Sequence, residues 1–192
     1  GGAASCESDC ECYSGSCENG TCAHRIFVTE QAFGGDLGGL QGAHQICNTM
    51  ASQAGLKGTW KAVMSDGATD AKDVIAVESA VQDLKSRQVS TESTFWTGNH
   101  LRSIDWTATG TSIGCDGCQS DAVWTGTKRD GTRRTSLCDD WSDGTKNFKG
   151  DVGDAGDADH QWVAEENGSN EPAPYPCTKQ NHLYCIDGQQ LR

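Results

Sequence analysis

Apolar residues along the 192-residue chain fall in short runs separated by glycine and polar turns. Ile26-Phe27-Val28-Thr29 is rich in β-branched and aromatic residues and predicts a strand; the glycines at 34, 35, 38 and 39 then turn the chain. Between Leu40 and Ala54 the positions Ala43, Cys47, Met50, Ala51 and Ala54 recur at helical spacing. Gly55 supplies a stop, so a helix with Cys47 on its buried face is predicted. Trp60 to Met64 reads as the next strand, and residues 65–95 are polar, with a weak apolar pattern at Val74, Ile75, Val77, Val81 and Leu84 that predicts no definite element. Phe95-Trp96-Thr97-Gly98 and Val123-Trp124-Thr125-Gly126 both read as strands ending in turns. Asp130-Gly131 is expected to form a hairpin turn, Gln161-Trp162-Val163 a short strand, and Leu183 to Ile186 a closing strand. The expected class is α+β, loop-rich, with mainly antiparallel strands and one or two helices.

The first 24 residues differ in kind. Cys6, Cys10, Cys12, Cys17 and Cys22 lie among Ser, Glu, Gly and Asn without any apolar period, so cross-links alone can order this piece. Residues 1–24 are expected to be a small cysteine-rich module and residues 25–192 the main domain. Five is an odd number, so one of these thiols pairs elsewhere, with the main domain or with another chain. An interchain bond there is the route to a homo-oligomer.

Eleven cysteines in all are too many for a reducing cytoplasm unless they hold metal, which points to a secreted or cell-surface protein. No stretch approaches the roughly 18 to 20 consecutive apolar residues of a membrane span, and the chain reads as mature, with any export signal removed. The formal net charge of −12 disfavours nucleic acid and sulfated polysaccharide as partners. Lys128, Arg129, Arg133 and Arg134 form a local basic group, read as a patch or as a solvated hairpin.

Candidate chemistry is sparse. Gly110-Thr111-Ser112-Ile113-Gly114 fits a nucleophile elbow in letters but lacks the apolar strand before it and the helix after it. His24, His44, His100, His160 and His182 lack metalloprotease spacing. No acid, base and nucleophile assemble, so a non-catalytic protein is expected. The run Asp151, Asp154, Asp157 and Asp159, spaced by glycine and alanine, reads either as a Ca2+ loop or as a solvated acidic loop. Cys115-Asp-Gly-Cys118 reads as a local loop disulfide, with a redox pair or half a zinc site as the other readings. Trp106, in a polar segment, is expected to be exposed and to stack on a ligand near Asn99 and His100. Asn19 and Asn167 stand in glycosylation acceptor patterns.

Three blocks in order resemble a known family. Residues 28–66, with the glycine-rich turn and cysteine-bearing helix, 123–141, with the tryptophan-glycine hairpin, and 177–186, with the closing cysteines, resemble endostatin, the C-terminal domain of collagens XV and XVIII. Together they look closer still to a bacterial surface-protein family of unknown function. The resemblance implies a C-type-lectin-like (endostatin-like) fold and the pairings Cys47–Cys185 and Cys138–Cys177. It does not bring the histidines of the endostatin zinc site, and Asn170-Glu171-Pro172 stands in the wrong order and place for calcium-dependent sugar binding in C-type lectins. The function expected is recognition of glycan or extracellular matrix protein, lectin-like or adhesin-like, through loops 99–122 and 150–172. The alternative is a structural subunit of a surface fibre, layer or larger assembly, linked through the cysteine-rich head.

Overall fold

The computed structural model describes residues 5–8, 11–12, 16–18, 20–114, 121–166 and 172–188. Cys10, Cys115, Cys118, Asn19 and Asn167 lie outside them, and with them the expected loop staple and both glycosylation acceptors.

Strands β1 (Cys17–Glu18) and β2 (Thr21–Cys22) form an N-terminal hairpin, followed by β3 (His24–Val28), α1 (Gly39–Gln53), β4 (Trp60–Ala62), α2 (Ala71–Val74), β5 (Val81–Asp83), β6 (Gln88–Ser90) and α3 (Glu92–Phe95). The second half holds β7 (Ala122–Trp124), α4 (Cys138–Trp141), β8 (Lys149–Gly150), β9 (Val152–Asp154), a 3-10 turn at His160–Trp162, β10 (Tyr175–Pro176) and β11 (Tyr184–Asp187). The structure is α+β with mainly antiparallel sheets. A five-stranded sheet in the order β4-β11-β3-β5-β6 is the centre, and β7-β9 and β8-β10 are two-stranded satellites. The closing strand thus lies between the first two strands of the main body, antiparallel to both, while β5 runs parallel to β3.

Alternation along the central strands sorts their side chains onto two faces. Phe27, Trp60, Ala62 and Cys185 pack with Leu40, Ala43, Cys47 and Ala51 of α1 on one side. Ile26, Val28, Tyr184 and Ile186 pack with Val81, Phe95 and Trp162 on the other. The sheet is therefore buried on both faces, which explains why Ile26-Phe27-Val28 of β3 is apolar at consecutive positions and why even His24 and Arg25 are buried. Its edge strand β4 is satisfied by α1 rather than by another strand. The Asn48 amide donates to Trp60 O (2.7 Å) and its carbonyl accepts Trp60 N–H (2.9 Å), and His44 Nδ1 accepts Ala62 N–H (3.1 Å). Side chains occupying that edge leave no ladder open to another chain.

At the other end of β11, the Asp187 carboxylate accepts Arg25 N–H (2.8 Å) and Arg25 Nε–H (2.6 Å), and the Arg25 guanidinium lies 5.0 Å from the Trp60 ring centroid. The N-terminal hairpin is stapled by Cys6–Cys17 and Cys12–Cys22 and tied to the body where Ser79 Oγ donates to Cys22 O (2.8 Å). In the body, Cys47 bonds Cys185 and Cys138 bonds Cys177. The four disulfides fit an oxidising compartment, and among the described residues no helix is long and apolar enough to cross a membrane.

Two predicted strands are not strands. Phe95-Trp96-Thr97-Gly98 is the end of α3 and a turn; Thr91 and Thr94 reciprocally cap that helix, and the local hydroxyl bonds outweigh β propensity over so short a stretch. Gln161-Trp162-Val163 belongs to the 3-10 turn, which starts where the Asp159 carboxylate accepts Gln161 N–H at 2.8 Å. Segment 65–95 holds α2, β5, β6 and the start of α3, each only three or four residues long and too short to show a period.

Cys47–Cys185 closes 138 residues and Cys138–Cys177 closes 39. In the chain-entropy account these are worth about 5 and about 4 kcal/mol. Denaturant unfolding of Cys47→Ala/Cys185→Ala and Cys138→Ala/Cys177→Ala double variants is expected to show losses near those values, larger for the first pair.

Candidate functional site

Asn99, His100 and Trp106 do not form a common binding face. Asn99 is exposed, but His100 is buried, with its ring against Phe95 (5.7 Å between centroids) and Trp162 (4.6 Å) and its Nε2–H donating to Phe95 O at 3.0 Å. Burial pushes its pKa down to about 4, so it is a neutral core imidazole. Trp106 is half-buried, and its ring is already covered: Lys85 Nζ lies 3.1 Å and the Arg87 guanidinium 5.1 Å from the centroid. A ring that holds two of the protein's own cations is not the open platform expected from its polar neighbours. Ser112, centre of the elbow-like motif, donates to the Asp105 carboxylate at 2.6 Å and is paired with no histidine among the described residues.

The four aspartates of the expected calcium loop do not gather as one group, because Asp151 stands apart from the other three. Asp151 is buried, and its carboxylate accepts Ser136 N–H (3.2 Å) beside Arg134. Asp159 caps the 3-10 turn. Asp154 and Asp157 share surroundings with each other, with the Asp159 carboxylate, and with two acids outside the predicted set, Asp121 and Glu165. Burial first, then mutual repulsion, raises the pKa of four carboxyls, Asp121, Asp154, Asp157 and Glu165, above the usual range, and of Tyr175 beside Glu165. Among the described residues the one set of three or more metal-ligand atoms within 4.8 Å of one another is Cys6, Cys12 and Cys22, whose sulfurs are in disulfides. The residues Asp151, Asp154, Asp157 and Asp159 therefore do not fit calcium as a set.

A different place concentrates exposed chemistry. In α4 the four residues Cys138, Asp139, Asp140 and Trp141 all have positive φ (48°, 53°, 54° and 64°), a single left-handed turn. Its hydrogen bonds run from Trp141 N–H to Leu137 O (2.7 Å) and from Ser142 N–H to Cys138 O (3.1 Å). Such a turn costs roughly 1 to 2 kcal/mol per residue, less for aspartate. It persists because both ends are held. Cys138 is bonded to Cys177 against Gly35 and Gly150, where any Cβ would come within 2.9 Å of it. Trp141 is fully buried and its Nε1–H donates to Ser65 O at 2.7 Å. Between those anchors Asp139 and Asp140 are forced to the surface, and Asp140 accepts Gly67 N–H at 2.7 Å.

The turn borders a cleft of about 590 Å³, lined among others by Arg133, Asp139, Asp140, Asn147, Phe148 and Lys149. Phe148, 41% exposed, is one of two large exposed apolar side chains among the described residues, and the only aromatic one. Sequence patterning missed this cleft, although a phenylalanine isolated in Lys146-Asn147-Phe148-Lys149 was a visible signal. Beside backbone whose strain is held by surrounding structure, the cleft thus presents an exposed ring, an amide, carboxylates and cations.

No family model matches the chain, and neither does any curated protein.

Two stability measurements test this electrostatic picture. Native His100 binds its proton only near pH 4, whereas the unfolded chain does so near 6.5. The unfolded state therefore holds more protons between those values, and the stability that neutral His100 contributes is present above pH 6.5 and lost as pH falls toward 4, by at most about 3 kcal/mol. The four acids have the opposite sign, since their raised native pKa values cost stability as pH rises. Comparing the protein with His100→Gln isolates the histidine: the variant is expected to lose less stability on acidification. Asp157→Asn relieves repulsion and is expected to raise stability near pH 7 by about 0.5 kcal/mol after solvent screening, with the gain fading in acid; thermal melts across pH read both.

Proposed function

We propose that this protein is a secreted or cell-surface recognition module, non-catalytic and lectin-like, that binds glycan in the cleft beside the left-handed turn. The observation carrying this reading is the exposed Phe148 ring at a cleft whose other groups, Asn147, Asp139, Asp140 and Arg133, are hydrogen-bonding side chains. Sugars present an apolar C–H face and a rim of hydroxyls, so an aromatic ring with carboxylate and amide neighbours is the donor and acceptor set that suits them. The proposed C-type-lectin-like fold is supported by the closing strand between β3 and β4 and by the α1-to-β11 disulfide. The site differs from the loops 99–122 and 150–172 expected at first, because tertiary packing uses His100 and Trp106 internally. A dependence on calcium would run through the acidic group of Asp121, Asp154, Asp157, Asp159 and Glu165.

The second reading, a structural subunit of a fibre, layer or larger assembly, rests on arithmetic: eleven cysteines cannot all pair within one chain. Covalent multimers on a non-reducing gel are its signature.

The deciding experiment is binding of the oxidised protein to glycan and matrix-protein arrays, with calcium and with a chelator. Binding is expected to a glycan class, and Phe148→Ala to weaken it about tenfold, as loss of a stacked ring does, while Trp106→Ala leaves it unchanged. Loss on chelation would assign the acidic group a role; survival would leave the cleft acting alone. Absence of any glycan binding, with disulfide-linked multimers in the same sample, would give the structural reading precedence.

A further inference from the structure

Arg134, which lines the cleft, also lines a second recess of about 370 Å³, together with Lys128, Arg129, Asp130, His160 and Glu166. In a chain of net charge −12 this is a concentration of cations. Lys128 and Arg129 are exposed on the hairpin turn, and neither has an ion-pair partner among the described residues. Asp130 makes no contact ion pair with either: its carboxylate accepts Thr132 N–H (3.0 Å) and Thr132 Oγ1–H (2.6 Å) within its own turn and acts on Lys128 through space.

The inner wall differs. The Arg134 side chain is only 8% exposed, and its Nη2–H donates to Glu166 Oε1 at 3.0 Å. Its Nε is buried without a hydrogen-bond partner among the described residues. The other Glu166 oxygen lies 3.6 Å from His160 Nε2. One carboxylate therefore already spans Arg134 and His160, and it marks where a ligand carboxylate can be held by the same groups. A buried guanidinium left with an unmet donor is costly. An incoming carboxylate, with two acceptor oxygens, suits the planar fork of an arginine better than a single bond does.

We propose that this recess binds the carboxylate of an acidic sugar, with Lys128 and Arg129 as outer cations and Glu166 as an internal carboxylate that holds Arg134 and His160 until the ligand displaces it. The proposal rests on the glycan reading and deepens it, since Arg134 borders both hollows. A polyanion is excluded as the preferred ligand. Three cationic side chains face Asp130 and Glu166 in the recess itself, and the −12 background repels extended negative charge, so the site suits one carboxylate on an otherwise neutral ligand.

The test is titration of the full oxidised chain, followed by NMR and calorimetry, with methyl glucuronide, a methyl sialoside and, as the neutral control, methyl glucoside. At least one acidic glycoside is expected to bind about tenfold more tightly than the glucoside, the effect of one charge-assisted hydrogen bond. Lys128→Ala/Arg129→Ala, exposed positions whose loss leaves the core intact, removes that preference and keeps neutral binding. Glu166→Gln strengthens acidic binding severalfold by removing the internal competitor, which a merely structural role for Glu166 would not do. Equal binding of acidic and neutral glycosides, or a Glu166→Gln protein with a native-like melting curve and unchanged or weaker acidic binding, overturns the recess while leaving glycan recognition standing. If the arrays show no glycan binding at all, the broader reading fails by itself, and the recess is judged by methyl glucuronide alone: unshifted Lys128, Arg129 and His160 resonances overturn it.

Discussion

The fold depends on one placement, that of β11 between β3 and β4. Four residues near the end of the described chain supply both neighbours of the sheet's centre with hydrogen bonds, and two of their side chains, Cys185 and Asp187, then anchor what lies around them. Cys185 covalently joins the sheet to α1. Asp187 neutralises Arg25, which is buried beside Trp60 and would otherwise be an uncompensated charge. The helix in turn closes the β4 edge through Asn48 and His44. Sheet, helix and edge thus hold one another in place.

The second half of the chain uses the opposite strategy. Apart from β11 its strands are two or three residues long, and its order comes from the Cys138–Cys177 bond, from buried tryptophans, and from hydroxyls such as Thr125 Oγ1, which donates to Val163 O at 2.6 Å. Such a framework tolerates backbone that regular structure would forbid. The left-handed turn at Cys138–Trp141 and the acidic group around Asp154 are both of this kind, one a conformational cost and the other an electrostatic one. Costs of this sort persist where surrounding contacts outweigh them.

Legibility in the sequence followed the length of the elements. The helix on Ala43, Cys47 and Ala51 and the strands at Ile26 to Val28, Trp60 to Ala62 and Tyr184 to Ile186 were readable, because two buried faces of a sheet leave continuous apolar runs and a fifteen-residue helix shows its period. Phe95 and Gln161 were misread as strand positions, since one-turn helices are decided by capping hydroxyls and carboxylates rather than by periodicity. The site was less legible still. Trp106 looked exposed because its sequence neighbours are polar, yet its cationic cover comes from Lys85 and Arg87 on a different hairpin. Asp151 looked equivalent to Asp154, but alternation along β9 and its approach turns them to different sides. Phe148, by contrast, gained its meaning only from the cleft around it.

The position of β11 between β3 and β4 also sets a timetable for biosynthesis. Cys47 emerges from the ribosome 138 residues before its partner Cys185, and at about 5 to 20 residues per second it waits on the order of ten seconds with its thiol unpaired. Throughout that interval the cysteines of the N-terminal hairpin are already available to it, and Cys138 joins them toward its end, so an early bond to any of them is a kinetic trap that must be undone by thiol exchange. Maturation of this protein is therefore governed less by how fast its sheet zips than by how reliably a helix-borne thiol is kept from bonding before the last strand arrives.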